Sequence, residues 1–170
     1  MAGVEIERKY VIVKPLFSDM ESSLNYSSSS ITQTYLESLQ GITHRVRKRE
    51  YRDGKTVYTE TVKRRIDRLS SYEDEREITE EEYNTLLLKI KKGTRSLTKD
   101  RHVFTFLGKI FEIDIYPEWE GACIMETELS SREQTVEMPS FIRIIEEVTG
   151  RREYSNAAMS HTFPDEPKVK

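Results

Sequence analysis

Hydrophobic and polar residues alternate along much of this chain, and a period of two predicts strands rather than helices. The alternation is present on both sides of Asp53-Gly54, which is a strong two-residue turn signal. The two segments and the turn together predict a β-hairpin. Further segments alternate in the same way or are rich in strand-forming residues between turn residues. The predicted strands cover residues 4–14, 31–38, 44–51, 56–65, 72–78, 97–106, 110–116 and 123–129.

A helical period follows the fifth predicted strand. Thr79 and Glu82 form a capping box, and Gly93 stands where a C-terminal cap belongs. The apolar positions of this predicted helix are Tyr83, Leu86, Leu87 and Ile90. We also predict a helix over residues 141–149, and a loop, preceded by a short helix, over the serine-rich residues 25–30.

Eight strands joined mostly by short turns predict an antiparallel sheet that closes on itself, because closure removes exposed strand edges. The expected fold class is α+β, mainly β: a closed eight-stranded antiparallel barrel around a tunnel, with peripheral helices. The length of 170 residues suits a single domain. We place this domain at residues 1–162 and expect a flexible tail over residues 163–170.

Composition narrows the range of possible functions. Charged residues make up 34% of the chain and hydrophobic residues 36%, so either the surface is densely charged or charges point into an enclosed, wet interior, which we favour. A net charge of -3 argues against a nucleic-acid partner, whose binding needs a basic surface. Cys123 is the only cysteine, so no internal disulfide can form. Without a secretion signal or an apolar span of roughly 20 residues, we expect a cytoplasmic protein with no membrane partner.

The charged residues also alternate, and this pattern carries the functional argument. Glu5, Glu7 and Lys9 project onto one face of the first strand, because successive side chains of a strand point to opposite sides. If the apolar face packs outward, the charged face must line the inside of the barrel. The same spacing recurs in Arg45, Arg47 and Arg49; in Thr59, Thr61, Lys63 and Arg65; in Glu73, Glu75 and Glu77; in Lys99 and Arg101; in Glu112 and Asp114; and in Glu126 and Glu128.

A single run of this kind is more often a solvated strand face, but agreement across several strands favours a common site. Arginine and lysine bind anionic oxygens, which indicates phosphate binding. Two carboxylates about 6 Å apart repel by roughly 3 kcal/mol at an effective dielectric near 20, so the acids need a cation. They offer only oxygen ligands, and none of His44, His102 and His161 shares their face. Mg²⁺ or Mn²⁺ is therefore favoured over zinc, with calcium left open.

This ordered series resembles the triphosphate tunnel metalloenzymes, also called the CYTH superfamily, and within it the bacterial inorganic triphosphatases. The hallmark of the family is a Glu-x-Glu-x-Lys first strand, here Glu5, Glu7 and Lys9. The later motifs follow in the family's order: Gln33-Thr34-Tyr35-Leu36, Arg45-Val46-Arg47, Lys63, Glu75-Arg76-Glu77, Lys99-Asp100-Arg101, Asp114 and Glu126-Thr127-Glu128. One departure is Tyr154-Ser155-Asn156, because the family often has a basic residue where this chain has Ser155.

The resemblance implies a tunnel that binds a triphosphate with Mg²⁺ or Mn²⁺ and hydrolyses inorganic triphosphate. The expected metal ligands are Glu5, Glu7, Asp114, Glu126 and Glu128. The expected substrate-binding residues are Lys9, Arg45, Arg47, Lys63, Arg65, Glu75, Glu77, Lys99 and Arg101. The residues expected to act in catalysis are Glu5, Glu7, Lys9, Lys63, Lys99 and Glu126.

Alternatives stay open on the same scaffold. Relatives hydrolyse thiamine or nucleoside triphosphates, or act as class IV adenylate cyclases, and these reactions need a pocket for an organic group. Tyr116 and Trp119 could stack a ring there, although packing within a loop is the commoner role of such residues. A non-catalytic polyphosphate-binding module would use the cations but gain nothing from the acids. The sequence leaves the oligomeric state and the general base open.

Overall fold

Eight antiparallel strands close into a barrel in the computed structural model, which describes residues 2–169. The strands are β1 (Ala2–Val13), β2 (Leu24–Leu36), β3 (Ile42–Tyr51), β4 (Thr56–Arg65), β5 (Ser70–Ile78), β6 (Leu97–Phe106), β7 (Lys109–Ile115) and β8 (Ala122–Glu128). They follow the order β5-β4-β3-β2-β6-β7-β8-β1, and pairing of β1 with β5 closes the ring. The predicted fold class and the closed eight-stranded barrel are confirmed.

The helix predicted over residues 141–149 is wrong, because Ile144–Glu147 forms a ninth strand, β9. β5 pairs only with the first part of β1, between Ala2 and Ile6, and leaves the rest of that edge open. β9 pairs with this edge between Tyr10 and Ile12. It thereby satisfies backbone groups that would otherwise be buried without partners. The open edge of β1, which is remote in sequence, therefore determines that Ile144–Glu147 is a strand.

The loop predicted over residues 25–30 is also wrong, because these residues belong to β2. The segment has no β-branched residue, so local preference gives no strand signal. Its neighbours β3 and β6 instead supply a ladder on each side: Ser29 pairs with Tyr51 and with Arg101. The short helix expected before this segment is present as α1 (Phe17–Glu21).

The helix predicted after the fifth strand is confirmed as α2 (Glu80–Leu87). Its capping box is complete, because the Glu82 N–H donates to Thr79 Oγ1 at 3.1 Å and the Thr79 N–H donates to Glu82 Oε2 at 2.8 Å. The helix ends earlier than predicted, and Ile90 forms an isolated bridge to Leu36 of β2. The Asp53-Gly54 hairpin is also confirmed, with Gly54 at a φ of 90° that suits glycine.

The outward faces of the strands bury apolar side chains under short covering elements. Met20 of α1 packs with Phe104 and Phe111 outside β6 and β7, and Tyr83 of α2 packs with Val46 outside β3. The inward faces are thus free to point polar groups into the barrel. The alternation predicts this arrangement, in which apolar side chains lie outside the barrel and polar side chains lie inside it.

A third apolar cluster fills part of one barrel end. It joins Val11 of β1 to Trp119, to Tyr154 in a 3-10 helix (Arg152–Tyr154) and to Met159 in α3 (Asn156–His161). Trp119 Nε1 donates to the carbonyl of Pro164 at 3.0 Å. The single-domain boundary and the flexibility of residues 163–170 stay predictions. No helix within residues 2–169 combines the length and apolar character needed to cross a membrane.

Candidate triphosphate and metal site

A cavity of about 1170 Å³ runs through the barrel and is lined from both of its ends. Tyr51 and Val57 line it where β3 turns into β4, and Gly41 and Thr43 line it at the opposite end. Alternate residues of each strand face this cavity. The predicted site residues that line it are Glu5, Glu7, Lys9, Arg45, Arg47, Lys63, Arg65, Glu75, Arg101, Glu126 and Glu128.

The charges in the tunnel are sorted by strand. We call the adjacent strands β4, β3, β2 and β6 the cationic wall, because within residues 2–169 their cavity-lining residues include cations and no carboxylate. These cations are Lys63, Arg65, Arg45, Arg47, Arg49 and Arg101. We call β7, β8, β1 and β5 the acidic wall. Its lining residues are Glu112, Glu126, Glu128, Glu5, Glu7, Glu73 and Glu75, with Lys9 as the one lining cation described on these four strands.

Two arginines of the cationic wall each have a buried donor without a partner. Arg47 is buried and donates from Nη2 to Gln33 Oε1 at 3.0 Å, and Gln33 in turn donates to the Tyr35 hydroxyl at 3.2 Å. The Nε atoms of Arg45 and Arg47 are buried without a hydrogen-bond partner. Burial, followed by the charges of Arg45 and Arg101, lowers the pKa of Arg47. Because a guanidinium nevertheless keeps its proton, an anion at these groups would relieve a large cost.

The acidic wall contains two pairs of carboxyl groups, each joined by a hydrogen bond. Burial, then the hydrogen bond and charge of Glu73, raises the pKa of Glu5 to about 8. The charge of Glu126, then burial, raises the pKa of Glu7 to about 7. Like charges this close cannot both ionise freely, so each pair holds a proton near neutral pH. A cation could take the place of these protons.

Lys9 reaches across the acidic wall to a carboxylate. Its Nζ lies 3.0 Å from Glu126 Oε1 and donates to the Tyr154 carbonyl at 3.3 Å. Burial alone would raise the pKa of Glu126, but Lys9 and the nearby cations override it and hold the pKa at about 2. The lowered pKa keeps Glu126 ionised at neutral pH, whereas the pKa of its neighbour Glu7 is raised.

The donor set of the acidic wall fits Mg²⁺ or Mn²⁺. Its groups are all carboxylate oxygens, which these hard cations prefer. Within residues 2–169, no three acidic, histidine or cysteine side chains already converge as a formed metal site. A cation would instead replace the protons shared by Glu5 with Glu73 and by Glu7 with Glu126. The metal ligands and the cofactor stay predictions.

Lys99 and Asp114, both predicted site residues, are buried and are not among the residues that line the cavity. Lys99 Nζ donates to Asp114 Oδ2 at 2.7 Å, and Arg101 donates to Asp114 from Nε at 2.7 Å and from Nη2 at 2.8 Å. Burial raises the pKa of Asp114, but Arg101 and Lys99 override this and hold it well below its usual range. Burial lowers the pKa of Lys99 to about 7. The hydrogen bonds to Asp114 thus hold the Arg101 side chain in position beside the cavity.

Two other predicted site residues lie at the margins of the tunnel. Glu77 is exposed and is not among the residues that line the cavity. Arg65 lines the cavity, but its Nη1 donates to the carbonyls of Asp67 and Arg68 at 3.3 and 3.2 Å. Both are thus further from the centre of the charged walls than the alternation alone suggests.

Three residues in or behind the tunnel wall were not among the predicted site residues. Glu73 contacts Arg45 at 3.3 Å and Lys63 at 3.7 Å, and Glu112 contacts Arg101 at 2.7 Å. The signal for both acids was present, since Glu73 shares a face with Glu75 and Glu112 with Asp114. Gln33 carries no charge, and its hydrogen bond to Arg47 could not be read from the chain.

The aromatic residues considered for stacking a ring are packing residues. Tyr116 and Trp119 are only 1% and 2% exposed. The Tyr116 hydroxyl donates to Asn156 Oδ1 at 2.5 Å. Ser155, at the position where the family often has a basic residue, accepts a hydrogen bond from the Ala158 N–H and caps α3.

Comparison with known proteins supports the fold. No protein-family model and no curated protein matches the sequence. Among solved structures, the inorganic triphosphatase NE1496 is 24% identical, with a TM-score of 0.60 over 94% of this chain and 96% of that chain. The PH1819 protein from Pyrococcus horikoshii OT3 is 19% identical, with a TM-score of 0.60 over 76% of this chain and 80% of that chain.

A third solved structure is HpAC1 from Hippeastrum, an adenylyl cyclase candidate described as having a dominant triphosphatase activity. It is 16% identical, with a TM-score of 0.54 over 76% of this chain and 81% of that chain. The chain has the barrel fold of these proteins. The fold that the sequence predicts is thereby confirmed.

Proposed function

We propose that this chain hydrolyses inorganic triphosphate to diphosphate and orthophosphate inside the tunnel, with Mg²⁺ or Mn²⁺ as its cofactor. The observation that carries the proposal is the division of the tunnel into a cationic wall and an acidic wall. A chain of phosphates suits the first wall, and the cations that accompany it suit the second. NE1496, which has the same fold, is described as an inorganic triphosphatase.

The cationic wall binds the phosphate oxygens. Arg45 and Arg47 line the tunnel with their guanidinium groups, and Lys63 and Arg101 add charge on either side. These groups are fixed by neighbours before the substrate arrives, as Arg47 is by Gln33. Preorganised cations of this kind stabilise the charge that moves to the leaving group in phosphoryl transfer.

Four acids would hold the divalent cation: Glu5, Glu7, Glu126 and Glu128. When bound, the cation offsets phosphate charge and makes a water molecule more acidic. Asp114 is left out of this set, because Lys99 and Arg101 already occupy its oxygens. Lys9 keeps Glu126 ionised and ready to bind a cation.

The reaction is an in-line displacement at a terminal phosphorus. The water oxygen forms a bond to this phosphorus, and the bridging P–O bond breaks with its electron pair on the leaving diphosphate. One proton of the water passes to a neighbouring carboxylate and then to solvent. The buried positions of Tyr116 and Trp119 favour an inorganic substrate over one with an aromatic ring.

A substrate panel tests the proposal. The protein is incubated with tripolyphosphate, ATP or thiamine triphosphate, each with Mg²⁺, Mn²⁺ or a chelator, and phosphate, diphosphate and cyclic AMP are measured. We expect tripolyphosphate to be the best substrate and the chelator to abolish its hydrolysis. Cyclic AMP from ATP would support a cyclase instead, and binding without any turnover would support a polyphosphate-binding module.

The substitution Glu126→Gln sharpens the test. It removes the ionised partner of Lys9 and Glu7 with little change in volume, so we expect kcat for tripolyphosphate to fall by about 100-fold or more. The melting temperature checks that the fold is intact. Glu50→Gln, at an exposed strand glutamate, is the matched control and should hydrolyse at the normal rate. Near-normal turnover by Glu126→Gln would contradict the assignment of the acidic wall.

A further inference from the structure

A second, much smaller cavity lies beside the tunnel. Its volume is about 20 Å³, and Glu7, Lys9 and Lys63 line both this cavity and the tunnel. The start of β5, with Ser71, and the loop after β9, with Thr149, enclose it on the other sides. We call this space the side cavity. It touches both an acid proposed to hold metal and two cations proposed to hold phosphate.

The size of the side cavity decides what it can hold. A buried water needs roughly 10–15 Å³ and two to four polar partners. The side cavity meets the volume requirement for one water. It therefore has room for the other reactant of a hydrolysis, a water.

The two lysines that line the side cavity have N–H donors that are not used in hydrogen bonds. Lys63 Nζ lies 3.8 Å from Glu5 Oε2 and 3.7 Å from Glu73 Oε2, which are ion-pair distances too long for hydrogen bonds. The ammonium of Lys9 uses two of its three N–H donors, on Glu126 and the Tyr154 carbonyl. Each lysine thus has an N–H group that could donate a hydrogen bond to a water.

The wall of the side cavity is held rigidly. Arg68 donates from Nε to the carbonyl of Thr149 at 3.0 Å and ties the loop after β9 to the turn before β5. Gly150 has a φ of 74°, and a Cβ at this position would collide with the Arg68 side chain. The close approach of the two segments therefore needs glycine, and it keeps the space narrow.

We propose that the side cavity is a water site that supplies the hydrolytic reaction, an inference that rests on the proposed function. A triphosphate that fills the tunnel displaces the water there. The side cavity keeps one water next to Glu7 and Lys63. Its occupant reaches the reacting phosphate without passing the bound chain.

Filling the cavity tests the inference. Ser71 is 5% exposed and faces inward between Glu5 of β1 and Arg65 of β4. Ser71→Val adds bulk there, and we expect kcat for tripolyphosphate to fall by about tenfold or more with KM unchanged. Ser71→Ala enlarges the space instead and should keep a normal kcat. Ser30→Val, on the outward face of β2, is the matched control and should also behave normally.

Crystal structures separate the possible failures. We expect one ordered water in the side cavity of the wild-type protein, within hydrogen-bond distance of Lys63, and none in Ser71→Val. An empty side cavity in the wild type, or a normal kcat in Ser71→Val, would overturn the inference while leaving triphosphate hydrolysis standing. If the wild type hydrolyses no triphosphate, the proposed function fails, and the water then has no reaction to supply.

Discussion

Charged side chains with almost no exposure support the wall of the tunnel at the scale of single residues. Asp114 is 2% exposed and accepts hydrogen bonds from both Lys99 and Arg101. A buried ion pair adds little net stability, but removing one partner leaves the other charge stranded. The substitution of Asp114 should therefore cost far more than a surface change.

We predict that Asp114→Asn lowers the free energy of unfolding by about 3–5 kcal/mol, because Lys99 and Arg101 lose their buried counter-charge. Urea unfolding at neutral pH measures this change. Asp100→Asn provides the control, since Asp100 is the exposed neighbour of Lys99 on the same strand, and it should change stability by less than about 0.5 kcal/mol. Equal stability of the two variants would show that the network is not a buried ion cluster.

The carboxyl pairs give the metal-free protein a distinctive pH response. The pKa of Glu5 is raised from 4.5 to about 8 and that of Glu7 from 4.5 to about 7. Between the unfolded and the folded pKa values of these groups, the folded protein binds more protons than the unfolded chain. Stability therefore falls as pH rises through this range. Glu126 acts with the opposite sign, but its lowered pKa of about 2 confines its effect to pH values below about 4.5.

We therefore predict that the melting temperature of the chelator-treated protein declines between pH 5 and pH 8, the range spanned by the raised pKa values. Glu5→Gln and Glu7→Gln should each flatten the decline, because each removes one titrating group. Mg²⁺ should raise the melting temperature more at pH 8 than at pH 5, since protons compete for the same oxygens. A flat profile in the chelator-treated wild type would contradict the paired carboxyl groups.

At the same scale, the sequence predicted which residues face inward but not which of them pair. The alternation places Glu5, Glu7 and Lys9 on one face because a strand has a period of two. The proton shared by Glu5 and Glu73 depends on the approach of two strands far apart in the chain. The burial of Asp114 under Arg101 is likewise a tertiary fact.

Elements follow from the sequence where their signals are local. The capping box at Thr79 and the turn at Gly54 depend on a few consecutive residues, and both are confirmed. The strand character of residues 25–30 and of β9 depends on neighbouring strands that offer ladders. Local preference could not anticipate either strand, because its hydrogen-bond partners are remote in sequence.

The cap of α2 gives a prediction at this scale. Thr79→Ala removes the acceptor for the Glu82 N–H and should lower the free energy of unfolding by about 1 kcal/mol. Tripolyphosphate turnover at 25 °C should be unchanged, because α2 packs outside the barrel. Thr85→Ala, at an exposed position of the same helix, is the control and should be neutral or slightly stabilising. A loss of turnover in Thr79→Ala would mean that α2 supports the tunnel.

For the whole molecule, eight predicted strands joined mostly by short turns were enough to predict the barrel. Short turns make neighbours in sequence neighbours in the sheet, so acidic and basic segments become adjacent wall strands. The exceptions are the β2–β6 pairing and the closure of β1 on β5 and β8. These join distant parts of the chain, and their register came only from the structure.

The pairing of β1 has a consequence for how the chain folds. This strand leaves the ribosome ahead of all its partners, yet it pairs with β5, with β8 and finally with β9 at Ile144–Glu147. Long loops must therefore be brought together before the ring is complete, and such distant contacts slow folding. Until then both edges of β1 are bare, which makes the nascent chain most vulnerable to aggregation late in synthesis.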